Sequence, residues 1–325
     1  MERPFLPSGL RRLIEPLIEG YAALNRRLWV LIVPIGLDLF LWLGPRVSPE
    51  RLAEALRAVV ASVPQVDPAQ GTQVMEALRE WGQTANLCHL LSAYLLPLFV
   101  PRLGTAEPPG YAPPRWAPEP AWMLLLPVVA LLLGLLFWSL YITPLADLVR
   151  GNPQRGTALL TRMLRTWGRM ARLLAVVAFG CVVFLLPAGF LASLSALLSP
   201  GLAALMSFLG LAFLLWILFY LYFAPSAVPF SGVGPLRAIY YSLQVVRSNF
   251  WQSLGFVLLV TFIRLGTAAL WQRLGNYPAG VVVGILGNAY IGGGLAAACL
   301  IFYRERLRMW LTGRDRGRQN ARYLA

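Results

Sequence analysis

The stretch LASLSALLSPGLAALMSFLG, residues 191–210, lies in the middle of 64 residues that carry no charge, between Arg172 and Arg237. A helix needs roughly 20 apolar residues to cross about 30 Å of hydrocarbon, so this run holds two crossings and something must divide them. Ser199-Pro200-Gly201 does so, because proline and glycine together end one helix and start the next. The run reads as two antiparallel membrane helices, 173–197 and 202–224, joined by a tight turn.

The same signature recurs on both sides. Glu119 and Asp147 bracket 27 uncharged residues, and Arg273 and Arg304 bracket 30. Only 13% of the 325 residues are charged and 58% are hydrophobic, against about 25% charged in an ordinary soluble domain. These features predict an all-α integral membrane protein with six transmembrane helices, at 28–45, 121–145, 173–197, 202–224, 252–271 and 277–303.

Charge sets the direction of the spans. The net charge of +14 comes from arginine alone, as the chain has no lysine. With the N-terminus in the cytoplasm, the inner segments (1–27, 147–172, 225–251 and 304–325) hold 20 arginines and six acids. The outer segments hold seven of each. All the excess positive charge then falls on one side, as the positive-inside rule requires. Membrane topology therefore accounts for the basic balance, and no nucleic-acid partner is implied. No small-residue cleavage site follows the first apolar run, so a removed signal peptide is not expected.

The domain plan is a cytoplasmic amphipathic helix (1–27), the first transmembrane helix (28–45), a helical extracytoplasmic insertion with a Pro-rich linker (46–120), a membrane domain with five transmembrane helices (121–303) and a basic cytoplasmic tail (304–325). Within the insertion, Ser48-Pro49-Glu50 is a helix-start signal with proline in the first turn. A second helix is expected from about Thr72 into 84–101. That last segment is uncharged and is read as an outer-face or re-entrant helix, because a seventh crossing would place six arginines between Arg150 and Arg172 outside.

A pattern repeats along the chain. In NPQRGTALLTRMLRTWGRMARLL (152–174) and GPLRAIYYSLQVVRSNFWQSLGF (234–256), Pro153 matches Pro235 and Arg165 matches Arg247. Pro144 and Pro225 lie just upstream, each at the end of a span. Apolar residues recur at helical spacing in both: Leu160, Met163, Leu164, Trp167 and Met170 in the first, and Leu236, Ile239, Tyr240, Leu243 and Phe250 in the second. Leu10, Leu13, Leu17, Tyr21, Leu24 and Leu28 give a third example at the N-terminus. The expected unit is a cytoplasmic interfacial elbow helix, a span outward and a span back, used three times as hairpin-like units. Such helices lie in the headgroup region with their apolar side down.

The pattern in FAPSAVPFSGVGPLRAIYYSLQVVRSNFWQSLGF resembles a group of bacterial multi-pass membrane proteins of unknown function. These are similar to the membrane domain fused to some glycerophosphodiester phosphodiesterases. The shared features are a proline at the span end, a short Gly-bearing loop, an Ala- and Ser-bearing helix, then arginine, Asn249 and Phe250. The resemblance covers about 120–305. The phosphodiesterase part of such fusions has no counterpart here, so it implies no hydrolase activity, and the 46–119 insertion departs from it.

Several residues stand out chemically. Asp38 and Arg264 each fall ten or so residues into a span, roughly 15–18 Å deep at 1.5 Å per residue. A charge there costs at least ~2.5–3.5 kcal/mol, so an ion pair between them is expected, either locking two repeats together or lining a polar pocket with Asn288. Arg162, Arg165, Arg169 and Arg172 form a helical stripe, and with Arg237 and Arg247 they are candidate contacts for anionic lipid headgroups, where each is worth about 1 kcal/mol. Ordinary positive-inside anchoring would explain them equally. Gly280, Gly284 and the Gly292–Gly294 run point to close helix packing, or to a broken helix of the transporter kind.

One histidine, His89, and three scattered cysteines, Cys88, Cys181 and Cys299, build neither a metal site nor a Ser/His/Asp arrangement. The expectation is a non-enzymatic plasma-membrane protein without a cofactor. Its partners would be the anionic inner leaflet and a protein partner. The alternative is a small transporter or lipid-handling protein with a polar pocket around Asp38 and Arg264.

Overall fold

The computed structural model describes residues 8–62, 68–92, 110–111, 113–151 and 154–323. In chain order, α1 (Ser8–Asn25) leads through a 3-10 turn (Leu28–Leu31) to α2 (Ile32–Leu43). The insertion contains β1 (Arg46–Val47), α3 (Glu50–Ala61), α4 (Pro68–Thr84), a 3-10 turn at Leu87–Ser92 and β2 (Arg115–Trp116). After a 3-10 turn at Pro120–Leu124 come α5 (Leu125–Arg150), α6 (Gly156–Ala196), α7 (Pro200–Leu221) and α8 (Ala224–Ser231). The chain ends in α9 (Pro235–Ser248), α10 (Phe250–Leu274) and α11 (Pro278–Tyr323).

The protein is an all-α multi-pass membrane protein. Among the described residues, five helices are long and apolar enough to cross a membrane: Pro120–Arg150, Gly156–Ala196, Pro200–Ser231, Phe250–Leu274 and Pro278–Arg314. Leu28–Leu43 is apolar but shorter. Two compact units divide the chain.

The first unit comprises Met1–Arg27, Ile142–Phe262 and Gly294–Ala325. Its centre is the segment of α11 from Gly294 to Tyr303, every residue of which is buried. The sequence GLAAACLIFY explains this, since small side chains let neighbouring backbones come close. A Cβ on Gly294 would run into the Tyr21 ring, and one on Gly20 would stand 2.6 Å from the Ala298 amide nitrogen. So α1 is seated directly on α11. Its position is held further by Arg304, whose Nη2 donates to Glu19 Oε2 at 3.2 Å while Nη1 donates to the Val149 carbonyl at 3.0 Å. Phe302 stacks on both Phe256 and Phe223, with centroids 4.3 and 5.3 Å away.

In this unit the elbow expected over 153–172 is not a separate helix. It is continuous with the following span as the 41-residue α6, since nothing between Gly156 and Pro187 breaks the helical hydrogen bonds. The elbow at the third repeat is separate. Pro235 starts α9 and Asn249, with non-helical backbone, ends it before α10. Sequence reading missed α8, an eight-residue helix that closes on Gly232 in the left-handed region at φ +63°. The hairpin α6–α7 turns at Ser199-Pro200, where the sequence placed it.

The second unit comprises Leu28–Tyr141 and Ile263–Gly293. Helices α3 and α4 pack together. Their close approach centres on Gly82, where a Cβ would lie 2.9 Å from the Ala53 methyl. Ser48 Oγ donates to the Gly82 carbonyl at 2.6 Å and accepts from Glu50 N–H at 3.3 Å. The helix-start signal therefore works, though Pro49 sits just before the helix and not in its first turn. The Pro-rich linker does more than span distance, for Arg115–Trp116 pair in parallel with Arg46–Val47.

The helix expected from Thr72 into 84–101 starts at Pro68 and stops at Thr84. Asn86 is the physical cause, because its Oδ1 accepts from both Val47 and Cys88 N–H at 3.0 Å and turns the chain into a 3-10 segment. That segment lies against α5, with a Cβ on Gly134 placed 2.5 Å from the Leu91 carbonyl oxygen. Residues 93–101 of the outer-face or re-entrant helix lie outside the described residues. The glycine-rich region of α11 is unbroken helix. Close packing is the reading that holds there, with Gly287 against Trp271.

Replacing Gly294 by alanine should destabilise the protein despite the gain of about 1 kcal/mol that Gly→Ala brings to a helix interior, because overpacking costs typically 1–3 kcal/mol. Gly266→Ala, which meets no atom within 4 Å, should be neutral or stabilising. Thermal unfolding of both variants in detergent checks the pair.

Candidate functional site

Two polar clusters stand out from the apolar frame. The first is built at the joint of α5, α6 and α8. Asp147 is 1% exposed, three residues before Arg150 on α5. Arg162, on α6, brings Nη1 to 2.6 Å from Asp147 Oδ1, and Arg150 Nη1 lies 3.8 Å from the same oxygen. Both guanidinium groups also donate to the Pro229 carbonyl of α8, at 2.6 Å from Arg150 and 3.3 Å from Arg162. The Arg150 guanidinium covers the Phe230 ring at 5.1 Å. Two cations thus share one carboxylate and one carbonyl, and three helix ends are fixed by a single knot.

The arrangement separates the arginine stripe on α6 into two kinds. Arg162 faces inward and is engaged by Asp147, while Arg165 and Arg172 are exposed. Arg169 is half-buried beside Gly232, where a Cβ would lie 3.4 Å from its Nη1. On α9, Arg237 and Arg247 are both exposed. The buried face of α9 is Ala238, Ser242, Val245 and Val246, and the Ser242 hydroxyl donates to the Tyr220 carbonyl at 2.6 Å. The larger apolar residues of the repeat, Leu236, Tyr240 and Leu243, point outward. The helix has a small-residue face for protein and a large-residue face flanked by arginine for its surroundings.

The second cluster lies in the other unit. Asp38, on α2, is 3% exposed. The side chain that reaches its carboxylate is Asn288 of α11. Neither carboxylate oxygen completes a hydrogen bond of good geometry. Arg264, half-buried on α10, is not among the groups acting on Asp38. Of Asp38, Arg264 and Asn288, the structure brings Asp38 and Asn288 together.

Sequence reasoning missed the Asp147 knot. Asp147 served only to close an uncharged run, although its i,i+3 spacing to Arg150 was visible. The contribution of Arg162 and of the Pro229 carbonyl had no local signal, because 67 residues separate them.

Removing one partner of a buried ion pair leaves the other charge uncompensated and costs about 3 kcal/mol. Asp147→Ala should therefore lower stability by about that amount, and an Asp147/Arg162 double-mutant cycle should show coupling. Arg165→Ala, at an exposed position, should stay within about 0.5 kcal/mol of wild type. Chemical unfolding of the four variants in micelles is the measurement.

Comparison with protein-family models, with curated proteins and with solved structures finds no match.

Proposed function

We propose that this chain is a six-span protein of a bacterial plasma membrane, with both termini in the cytoplasm, that works without catalysis by contacting anionic lipids through basic interfacial helices. The observation that carries the reading is the two-faced α9. Its small residues are buried, Leu236 and Tyr240 point outward, and Arg237 and Arg247 stand exposed beside them. Trp251, at the start of α10, is 79% exposed, as befits an aromatic anchor at the headgroup level. The headgroup contacts are Arg165, Arg172, Arg237 and Arg247, with Arg162 held back by Asp147. Kinship with the membrane domain of phosphodiesterase fusions belongs to this proposal, as does recognition of a protein partner through the same basic helices.

A second reading is a small transporter or lipid-handling protein with a polar pocket in the membrane around Asp38 and Arg264. The buried carboxylate of Asp38 favours it, since an ionisable group at this depth usually serves a pathway or a site.

Anionic-lipid preference follows from the arginines. Each contributes about 1 kcal/mol, so Arg237→Gln with Arg247→Gln should weaken selectivity for spin-labelled phosphatidylglycerol over phosphatidylcholine by more than tenfold. An unchanged spectrum would remove the lipid reading.

The orientation has its own test. Cys88 belongs to the insertion, which the charge balance places outside, and burial pushes its thiol up from the ordinary range. A raised thiol presents less thiolate at neutral pH. A membrane-impermeant maleimide should therefore modify Cys88 on intact cells slowly, and faster as pH rises. Labelling that requires a broken membrane would reverse the topology.

A further inference from the structure

We propose that Asp38 and Asn288 form a binding site for a small monovalent cation, a proton or sodium, that neutralises the carboxylate within the membrane. The proposal rests on the second reading above and names the ion that such a site would hold. An ionised carboxylate is acceptor-only, with about four lone-pair positions to satisfy. Asp38 is nine-tenths buried or more, and both of its oxygens lack a well-formed partner. An isolated buried charge of this kind costs far more than the fold can bear, so a counter-charge must be supplied. Among the described residues, the side chain that acts on the carboxylate is Asn288, which brings an amide without charge.

The chemistry of the donors narrows the occupant. Carboxylate and amide oxygens are hard ligands that suit a small hard cation. A proton on Asp38 would remove its charge and leave a carboxyl oxygen to accept from the Asn288 amide. Sodium would draw on the carboxylate oxygens and, with the amide turned, on Asn288 Oδ1, completed by water. Both satisfy the same orphaned oxygens, and they differ in what the surrounding solution must provide. Among the described residues, the 3-10 turns at Leu28–Leu31 and Leu87–Ser92 pack against α2, and α11 reaches it through Asn288. The first carries no titratable group, and the second carries Cys88 and His89. On α11 the titratable neighbour in sequence is Tyr290.

The test is thermal unfolding of the full chain in lipid nanodiscs, in sodium chloride against choline chloride at equal ionic strength, from mildly acid to mildly alkaline pH. His89→Gln serves as the background, so that the histidine does not contribute. Sodium occupancy predicts a melting temperature several degrees higher in sodium chloride. Proton occupancy predicts no sodium effect and a melting temperature that falls as pH rises, because the folded state then holds a proton that the unfolded state releases. In either case Asp38→Asn, a neutral amide of the same shape, should abolish the response, and Asn288→Ala should weaken it several-fold. A background protein indifferent to both ions overturns the proposal, as does an Asp38→Asn variant that responds like the background. If Asp38→Asn does not fold, Asn288→Ala carries the test: a weakened response sustains the site and an unchanged one overturns it. Solute flux is not read here. An ion response in a protein that moves no solute keeps the site and removes the transport reading, whereas loss of the ion response removes the site alone.

Discussion

The contact on which most of the first unit depends is the seat of α1 on α11, where Gly20 and Gly294 let two helix backbones approach and Tyr21 fills the space beside them. Between membrane helices there is no hydrophobic driving force, since lipid tails are as apolar as leucine, so association rests on close packing and a few polar ties. That constraint explains why the most buried segment of the chain is also its most Gly- and Ala-rich one. It explains why larger side chains collect at the margin of this segment, in the Phe223, Phe256 and Phe302 stack. Leu13 follows the same logic, with a methyl 3.2 Å from where a Cβ on Gly255 would be. An amphipathic N-terminal helix that could have lain flat on lipid is instead committed to protein on one side.

Polar ties then select which helix ends meet. Glu19 and Asp147 each take an arginine, Arg304 and Arg162 respectively, and both arginines also bond a backbone carbonyl left free near a helix end. A helix leaves four carbonyls without intrahelical donors at its C-terminus, and Val149 is among the last of α5. Arginine suits this double task because its planar fork presents several donors at once. The consequence for charge is direct. Glu19 and Asp147 are consumed by internal pairing, while Arg165, Arg172, Arg237 and Arg247 are left exposed. Surface exposure and internal locking thus draw on the same residue type and divide it by geometry.

How much of this could be read in the sequence follows from the range of each interaction. The α6–α7 turn, α9 and the long apolar helices rest on local signals: Pro-Gly punctuation, 3.6-residue periodicity and absence of charge. Those were legible. The continuity of α6 was not, because a basic amphipathic stretch and an apolar stretch look like two elements until it is noticed that no breaker stands between them. Asn86 ended a helix that periodicity would have carried on, through hydrogen bonds to Val47 and Cys88, one of them 39 residues away. On α9 the pattern located the apolar residues correctly but could not say which face is buried. Small residues go inward in a membrane protein and large ones outward, the reverse of the soluble expectation. Asp38 was legible as an anomaly by depth alone. Its neighbour Asn288 was chosen from sequence for polarity, and the fold supplies their meeting.

The unbroken length of α6 fixes where the Asp147 knot acts. Arg172 is the last charge before the apolar run, and Arg162 precedes it by ten residues, about 15 Å along the helix at 1.5 Å per residue. The knot therefore sits well on the charged side of the boundary, where water and salt weaken any single exposed ion pair to 1 kcal/mol or less. It holds because Asp147 is enclosed by protein and because Arg150 and Arg162 converge on the Pro229 carbonyl as well. A carboxylate so enclosed cannot be replaced by a lipid phosphate without opening the joint of α5, α6 and α8. The arginines that the knot leaves outside are exposed, and the same fold that positions them keeps their charge unspent.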